Sequence, residues 1–261
     1  MILQQTDPIV AISQPSHSWL SGQLARGWGN KQFNRFEPFE PICYAAEQHD
    51  VGFLQWEYEP ALDPRTGLPY NFDSLPEQMH FDLWTRGISE LKPVCCYSAL
   101  IVSLHFCDLC RRFHHPSEKE PDGAANRFLR EQGAFQQESI TQLSKDPEFE
   151  HAISAELMEF HRSLLAVWDF LSLQLCRGRP DQFTIPSVPL TPSEFCKMNI
   201  RVHSNRIVEV DPWPFGSESL EGRCEARILE GRFGDEAAMR RAIEQADQLT
   251  LIFQFVSPKS D

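Results

Sequence analysis

Long apolar runs are missing from this chain. Its most hydrophobic stretch, PVCCYSALIVSLHFC at 93–107, is interrupted by serine and histidine, and it falls short of the roughly twenty apolar residues that a membrane-spanning helix needs. The opening MILQQTDPIVAIS also lacks the basic head and small-residue cleavage site of a signal peptide. Together these absences predict a cytoplasmic protein that does not enter a membrane. Basic clusters are missing as well: 24 Lys and Arg stand against 37 Asp and Glu, for a formal net charge of -13. That balance excludes a general nucleic-acid surface, because phosphate contacts need clustered cations. There is no internal repeat, no low-complexity segment, no phosphate loop among the glycines near 22–29, and no nucleophile-elbow pattern.

Cysteine, by contrast, is not scarce. Eight are present, but they fall inside apolar helical patterns of a chain too large to depend on disulfide staples, so reduced, buried thiols are expected. Cys107 and Cys110 have zinc-like spacing, yet no second pair stands at a suitable distance, and they are assigned to the core.

With 261 residues and 41% hydrophobic content, the chain can bury a real core: one main domain and a small appendage. The β-branched PIVAISQ predicts a strand. A helix follows, capped by Ser16 and carrying Leu20, Leu24 and Trp28. A second short helix is expected over Ile42 to His49, with Gly52 at its exit. Residues 51–75 hold aromatics, prolines and an RTGLP turn without periodicity, which predicts an ordered covering loop. Helical patterns return at 76–91, 94–113, about 123–145 and 147–177, with a flexible connector after His114 and His115. From Gly178 onward the pattern is a proline-rich linker, a hairpin around a Ser-Asn turn, and two further strands about a helix near 235–246. The predicted fold is therefore mainly α, a helical bundle over 1–178, with a small antiparallel α+β appendage over 179–261. The N-terminal strand is a candidate partner for the appendage, and the appendage is a candidate dimer surface through its edge strands.

Several polar residues lie where apolar helices make them expensive. They are His17 on the first helix, His49 and Asp50 ending the second, His80 early in the third, His105 in the most apolar helix, and Asp169 within LLAVWDFLSLQL. A buried charge there must be paired, hydrogen-bonded or metal-bound. Four imidazoles and two carboxylates can satisfy one another through two divalent transition-metal ions drawn from Fe, Mn, Co, Ni and Zn. Adjacent helical residues project roughly 100° apart, so of His49 and Asp50 one can bind terminally while the other bridges. The plain alternatives are specific. His105 can be a core histidine bonded to a backbone carbonyl. Asp169 can seek Arg162 or Arg177, although both lie two turns away, beyond pair reach. His161 is at best an outer neighbour of the site, and His114 and His115 suit a helix C-terminus.

The ordered set His17, His49-Asp50, His80, His105 and Asp169 resembles the HD-domain superfamily of metal-dependent phosphohydrolases. The two histidines between the HD pair and the last Asp resemble its dinuclear members, which include cyclic-nucleotide phosphodiesterases and diiron oxygenases. SHSWLSGQLARGWG, AAEQHDVGFLQW, LDPRTGLPYNF and WDFLSLQLC are also similar to an uncharacterised bacterial family that carries only a domain-of-unknown-function label. The resemblance implies an HD-like bundle and metal-dependent hydrolysis of a phosphoester in a small-molecule substrate, by a water acidified between two cations. Asp50 and Glu47 are the candidate catalytic carboxylates, with Glu57 and Asp63 as further outer acids or bases. Trp56, Tyr58, Arg65 and Arg86 are the candidate substrate contacts, the aromatics shaping an apolar-walled pocket. The loop after the HD pair is aromatic and acidic where phosphohydrolases of the superfamily carry basic residues. That departure keeps two other readings open: a diiron oxygenase acting on a small polar substrate, and a non-catalytic ligand-sensing module.

Overall fold

The computed structural model describes residues 1–4, 6–116, 120–178 and 180–258. The connector expected after His115 and the expected boundary at 179 lie partly outside them. In chain order the elements are β1 (Ile2–Gln4), β2 (Ile9–Ile12), α1 (Gln14–Gly27), α2 (Phe39–Gln48), α3 (Leu54–Tyr58), β3 (Leu62–Asp63) and β4 (Leu68–Pro69). The long helices α4 (Glu77–Leu91), α5 (Cys96–Phe113), α6 (Ala124–Leu143) and α7 (Ala155–Arg177) follow. The chain then runs through β5 (Gln182–Pro189), β6 (Phe195–Val202), β7 (Ile207–Asp211), β8 (Ser219–Leu229), α8 (Glu236–Gln245) and β9 (Gln248–Val256).

The expectation of a mainly helical, HD-like bundle with a small antiparallel appendage is corrected by this architecture. The protein is about 48% helical and 21% strand, built on a curled, mixed sheet of seven strands. Their order is β1-β2-β8-β9-β7-β6-β5. Three features enlarged the sheet. The N-terminus supplies a hairpin, with β2 pairing antiparallel to β8 through Ile9↔Leu229 and Ile12↔Ala226. The proline-rich stretch is itself a strand: Pro186 and Pro189 lie in β5, the sheet's last strand, where a missing N–H forfeits no ladder bond. And β7 runs parallel to β9, so the sheet is not purely antiparallel.

Alternation decides which face of the sheet is covered. Along β9, Leu251, Phe253 and Phe255 are buried while Thr250, Ile252 and Gln254 are exposed. The outer face is polar and cross-linked, with Thr250 donating to Glu225 and Gln254 donating to Glu221. The inner face carries α1, seated so closely on β8 that a Cβ on Gly222 would stand 2.6 Å from Leu20 Cδ1. Leu20, Leu24 and Trp168 of the helices share one core cluster with Met198, Val208, Cys224 and Phe255 of the sheet. A smaller cluster, with Met239 and Ile243 of α8, Leu229 and Leu68, closes the far end.

Helix ends follow local chemistry. The cap of α1 is Ser13, whose Oγ accepts the Ser16 N–H, not Ser16 itself; Pro15 lacks an N–H and fits the first turn, so the helix starts before it. Ser154 caps α7 in the same way, and Gly178, at φ 69°, ends it in the left-handed conformation that glycine adopts without steric cost. The expected covering loop is ordered: a 3-10 turn at Val51–Phe53, α3, the β3-β4 hairpin, and a second 3-10 turn at Phe72–Ser74. Among the described residues, no helix is long and apolar enough to cross a membrane.

Candidate metal centre

Two close crossings bring the donors together. On α1, a Cβ at Gly22 would lie 2.5 Å from Glu47 Cβ, so α1 and α2 approach almost to backbone contact. At the exit of α2, Gly52 packs on Gly87 of α4, where an added Cβ would stand 2.1 Å from the Leu83 carbonyl oxygen. His49 keeps helical geometry as the C-cap of α2, but Asp50, at φ -99° and ψ 18°, has left the helix and turned toward α4. The two side chains thereby reach one point by a bend of the chain.

At that point four donor atoms form a closed ring in which imidazole and carboxylate alternate. His17 Nε2 lies 3.1 Å from Asp50 Oδ2 and 3.5 Å from Asp169 Oδ1. His49 Nε2 lies 3.5 Å from each of the same two oxygens. Donors about 2.1 Å from one cation stand about 3.4 Å apart at tetrahedral edges and about 3.0 Å apart at octahedral ones. The four edges of the ring match that spacing. His17, His49 and Asp50 are all buried, and their donor atoms fall within 4.8 Å of one another.

Proton positions strengthen the fit. His49 Nδ1 faces the Ala46 carbonyl at 2.9 Å, an atom that can only accept, so Nδ1 carries a proton, and the ring in its neutral form would present a bare Nε2 to the carboxylates. Among the described residues that Nε2 is buried with no hydrogen-bond partner. Only a proton or a cation reconciles a lone pair with two carboxylates around it. Burial opposes charge on His49, but Asp50 and then Asp169 outweigh it and hold its pKa up to about 9. For Asp169 burial pushes upward, and the hydrogen bond with His105 together with the close approach of His49 overcomes it, holding the carboxyl well below its ordinary range. His105, fully buried in α5, meets Asp169 Oδ2 at 3.0 Å, and its own Nδ1 has no partner among the described residues. Asp169 thus faces two ways, Oδ1 to the ring and Oδ2 to His105.

The remaining predicted residues lie elsewhere. His80 sits among aromatics, its ring 4.5 Å from Trp84 and 5.7 Å from His114, outside the donor ring. Burial and the neighbouring His114 lower its pKa to about 4, against a weaker pull from Asp50. Glu47 stands two residues before His49, close to the opposite side of the helix, and its carboxylate meets Arg26 at 3.4 Å on the surface. Glu57 is buried and accepts the Gln14 N–H at 2.9 Å, anchoring the start of α1. Arg65 folds back onto Asp63 in the β3-β4 turn, with Nε 3.0 Å and Nη2 2.9 Å from its carboxylate oxygens. Arg86 donates to Gln55 at 3.2 Å. Trp56 is half-buried against the core, and Tyr58 is 84% exposed. Leu54, Glu57, Tyr58, Glu225, Arg240 and Glu244 border a hollow of about 640 Å³ between α3, β8 and α8, which none of the ring donors lines.

The plain alternatives are placed as well. Arg162 binds Asp108 and Glu159, Arg177 meets Asp73, and neither pairs with Asp169. His161 Nδ1 pairs with the Tyr97 hydroxyl at 2.7 Å, with burial lowering its pKa to about 4. All eight cysteines are free thiols, Cys107 and Cys110 buried among them.

Two serines escaped the sequence reading. Ser172 Oγ lies 2.8 Å from His17 Nδ1 and 2.9 Å from the Asp169 carbonyl oxygen, and Ser21 Oγ meets Ser172 Oγ at 2.7 Å. Helical spacing held the signal, since Ser21 follows His17 by four positions and Ser172 follows Asp169 by three.

No curated protein and no solved structure matches the chain. Residues 1–231 match the family described as "Protein of unknown function (DUF3891)", and the chain belongs to that family.

Proposed function

We propose that this protein is a metal-dependent hydrolase in which His17, His49, Asp50 and Asp169 hold a divalent transition-metal ion of the Fe, Mn, Co, Ni or Zn group. The observation that carries this reading is the ring of four side chains with edges of 3.1 to 3.5 Å, two of its members being imidazoles whose Nε2 atoms each face both carboxylates. The resemblance of the ordered set to the HD-domain superfamily supports a phosphoester in a small molecule as the substrate. When bound, the cation lowers the pKa of a water toward neutrality and stabilises charge developing on oxygen. The chain's own residues fix the geometry: the Ala46 carbonyl orients His49, and His105 holds the outer oxygen of Asp169. Arg65 and Arg86 are engaged by Asp63 and Gln55, so the phosphoryl charge falls to the metal site and not to an arginine.

A two-ion form has one specific support, the two-faced Asp169, with Oδ1 toward the ring and Oδ2 toward His105; Asp169 and His105 are the residues that would hold a second ion. Two irons in that arrangement are the diiron-oxygenase reading. Metal content of protein purified without added metal, measured by plasma mass spectrometry beside a His49→Ala/Asp50→Ala double variant, tests the proposal. The assay is paired with hydrolysis of bis(p-nitrophenyl) phosphate in the presence of Mn, Co, Ni or Zn. The expected result is bound metal and turnover, both lost in the double variant. Two irons per chain without phosphoester turnover would transfer the proposal to oxygen chemistry, and no metal after reconstitution would end it.

A further inference from the structure

His17 and His49 are held differently at the nitrogen that faces away from the ring. Behind His49 stands a carbonyl, a fixed acceptor, so only one neutral tautomer is satisfied. Behind His17 stands the Ser172 hydroxyl, which can donate or accept. Ser172 is fully buried, as is Ser21, so water does not substitute for either. Each arrangement of the protons satisfies a different state of the site. With no cation, His17 Nε2–H donates to Asp50 Oδ2 at 3.1 Å, and the Ser172 hydroxyl donates to Nδ1 while accepting from Ser21. With a cation on Nε2, the proton must sit on Nδ1. Ser172 then turns, accepts from Nδ1–H, and donates to the Asp169 carbonyl 2.9 Å away.

Resting on the metal-centre reading above, we propose that Ser172 is a positioning residue that selects the His17 tautomer, switching from donor to acceptor as the site loads. It acts through His17 and touches no substrate. The same hydroxyl joins the supports of two donors, because it hydrogen-bonds the His17 ring and the backbone of Asp169 together. Without it, a loaded His17 leaves its Nδ1–H buried against nothing.

The test uses zinc as the probe with the full-length protein. Zinc affinity is measured by competition with a chromophoric chelator for wild type, Ser172→Ala and His49→Ala. The 15N shifts of the His17 ring are recorded in the wild type with and without zinc. The expected result is Nε2–H in the metal-free protein and Nδ1–H in the loaded one, with Ser172→Ala weakening zinc by about 10- to 100-fold. Loaded His17 with a bare Nδ1, or Ser172→Ala within twofold of wild type while His49→Ala loses zinc, would overturn the proposal and leave the metal centre standing. Wild type that takes up no zinc would overturn both. If Ser172→Ala does not fold, the tautomer of the loaded wild type decides alone.

Discussion

Under the proposed metal centre, protons and metal compete for His49, and the structure sets the terms. In the metal-free protein its pKa is held up to about 9 from an ordinary 6.5, chiefly by Asp50 and Asp169 against the opposing effect of burial. A raised pKa of that size stabilises the folded state by about 3 kcal/mol. The contribution is complete below the unfolded value of 6.5 and is lost as pH climbs through about 9. Metal binding needs the same nitrogen bare, so its sign is reversed: at pH 7 the ion must displace a proton held about two pH units too tightly, which weakens it by about 100-fold. Zinc affinity should therefore rise by about tenfold per pH unit between 7 and 9 and then level, while the stability of the metal-free protein falls over the same range. Calorimetric titration of zinc in buffers of different ionisation enthalpy at pH 7 counts the protons released, with about one expected from His49. Urea melts of the metal-free protein across the range follow the second limb. Flat affinity from pH 6 to 9 with no proton released would refute the reasoning.

Other perturbations follow from the same geometry. Asp169→Asn should weaken metal by about 100-fold or more through the loss of a ring carboxylate, and it should move the pH midpoint of metal-free stability down toward that of a free histidine, as urea melts would report. Gly52→Ala should lose about 3 kcal/mol, because its Cβ meets backbone atoms of α4 that cannot yield; equal stability in denaturant titration would contradict the close crossing. His80→Ala should leave the first ion at wild-type affinity, since His80 lies outside the four-donor ring. Mass spectrometry of the loaded variant checks this, and loss of all metal would show that the ring is not sufficient.

The buried His/Asp cluster was legible because histidine and aspartate inside apolar helices demand an explanation. His17, His105 and Asp169 stood out on that ground alone. Serine in a helix demands none, so the Ser21 and Ser172 supports stayed invisible until packing placed them behind His17. Glu47 was attractive by nearness in sequence, yet two residues on a helix turn a side chain through about 200°. The sheet was underestimated for similar reasons. β1 is three residues long, and β5 carries prolines that read as a linker but suit an outermost strand. Pairing of β2 with β8 joins residues more than two hundred positions apart, a relation that no local pattern records.

The bed under α1 has a consequence for the order in which the protein can be made. Every ring donor has been synthesised once translation passes Asp169, but the glycine that receives Leu20 stands at 222, and the strand that receives β2 runs to Leu229. A nascent chain therefore carries all four members of the His/Asp ring for some fifty residues of elongation before the first helix has the surface it rests on. During that interval His17 is tethered without being seated, so under the proposed metal centre any encounter with a cation would come before the geometry that selects it.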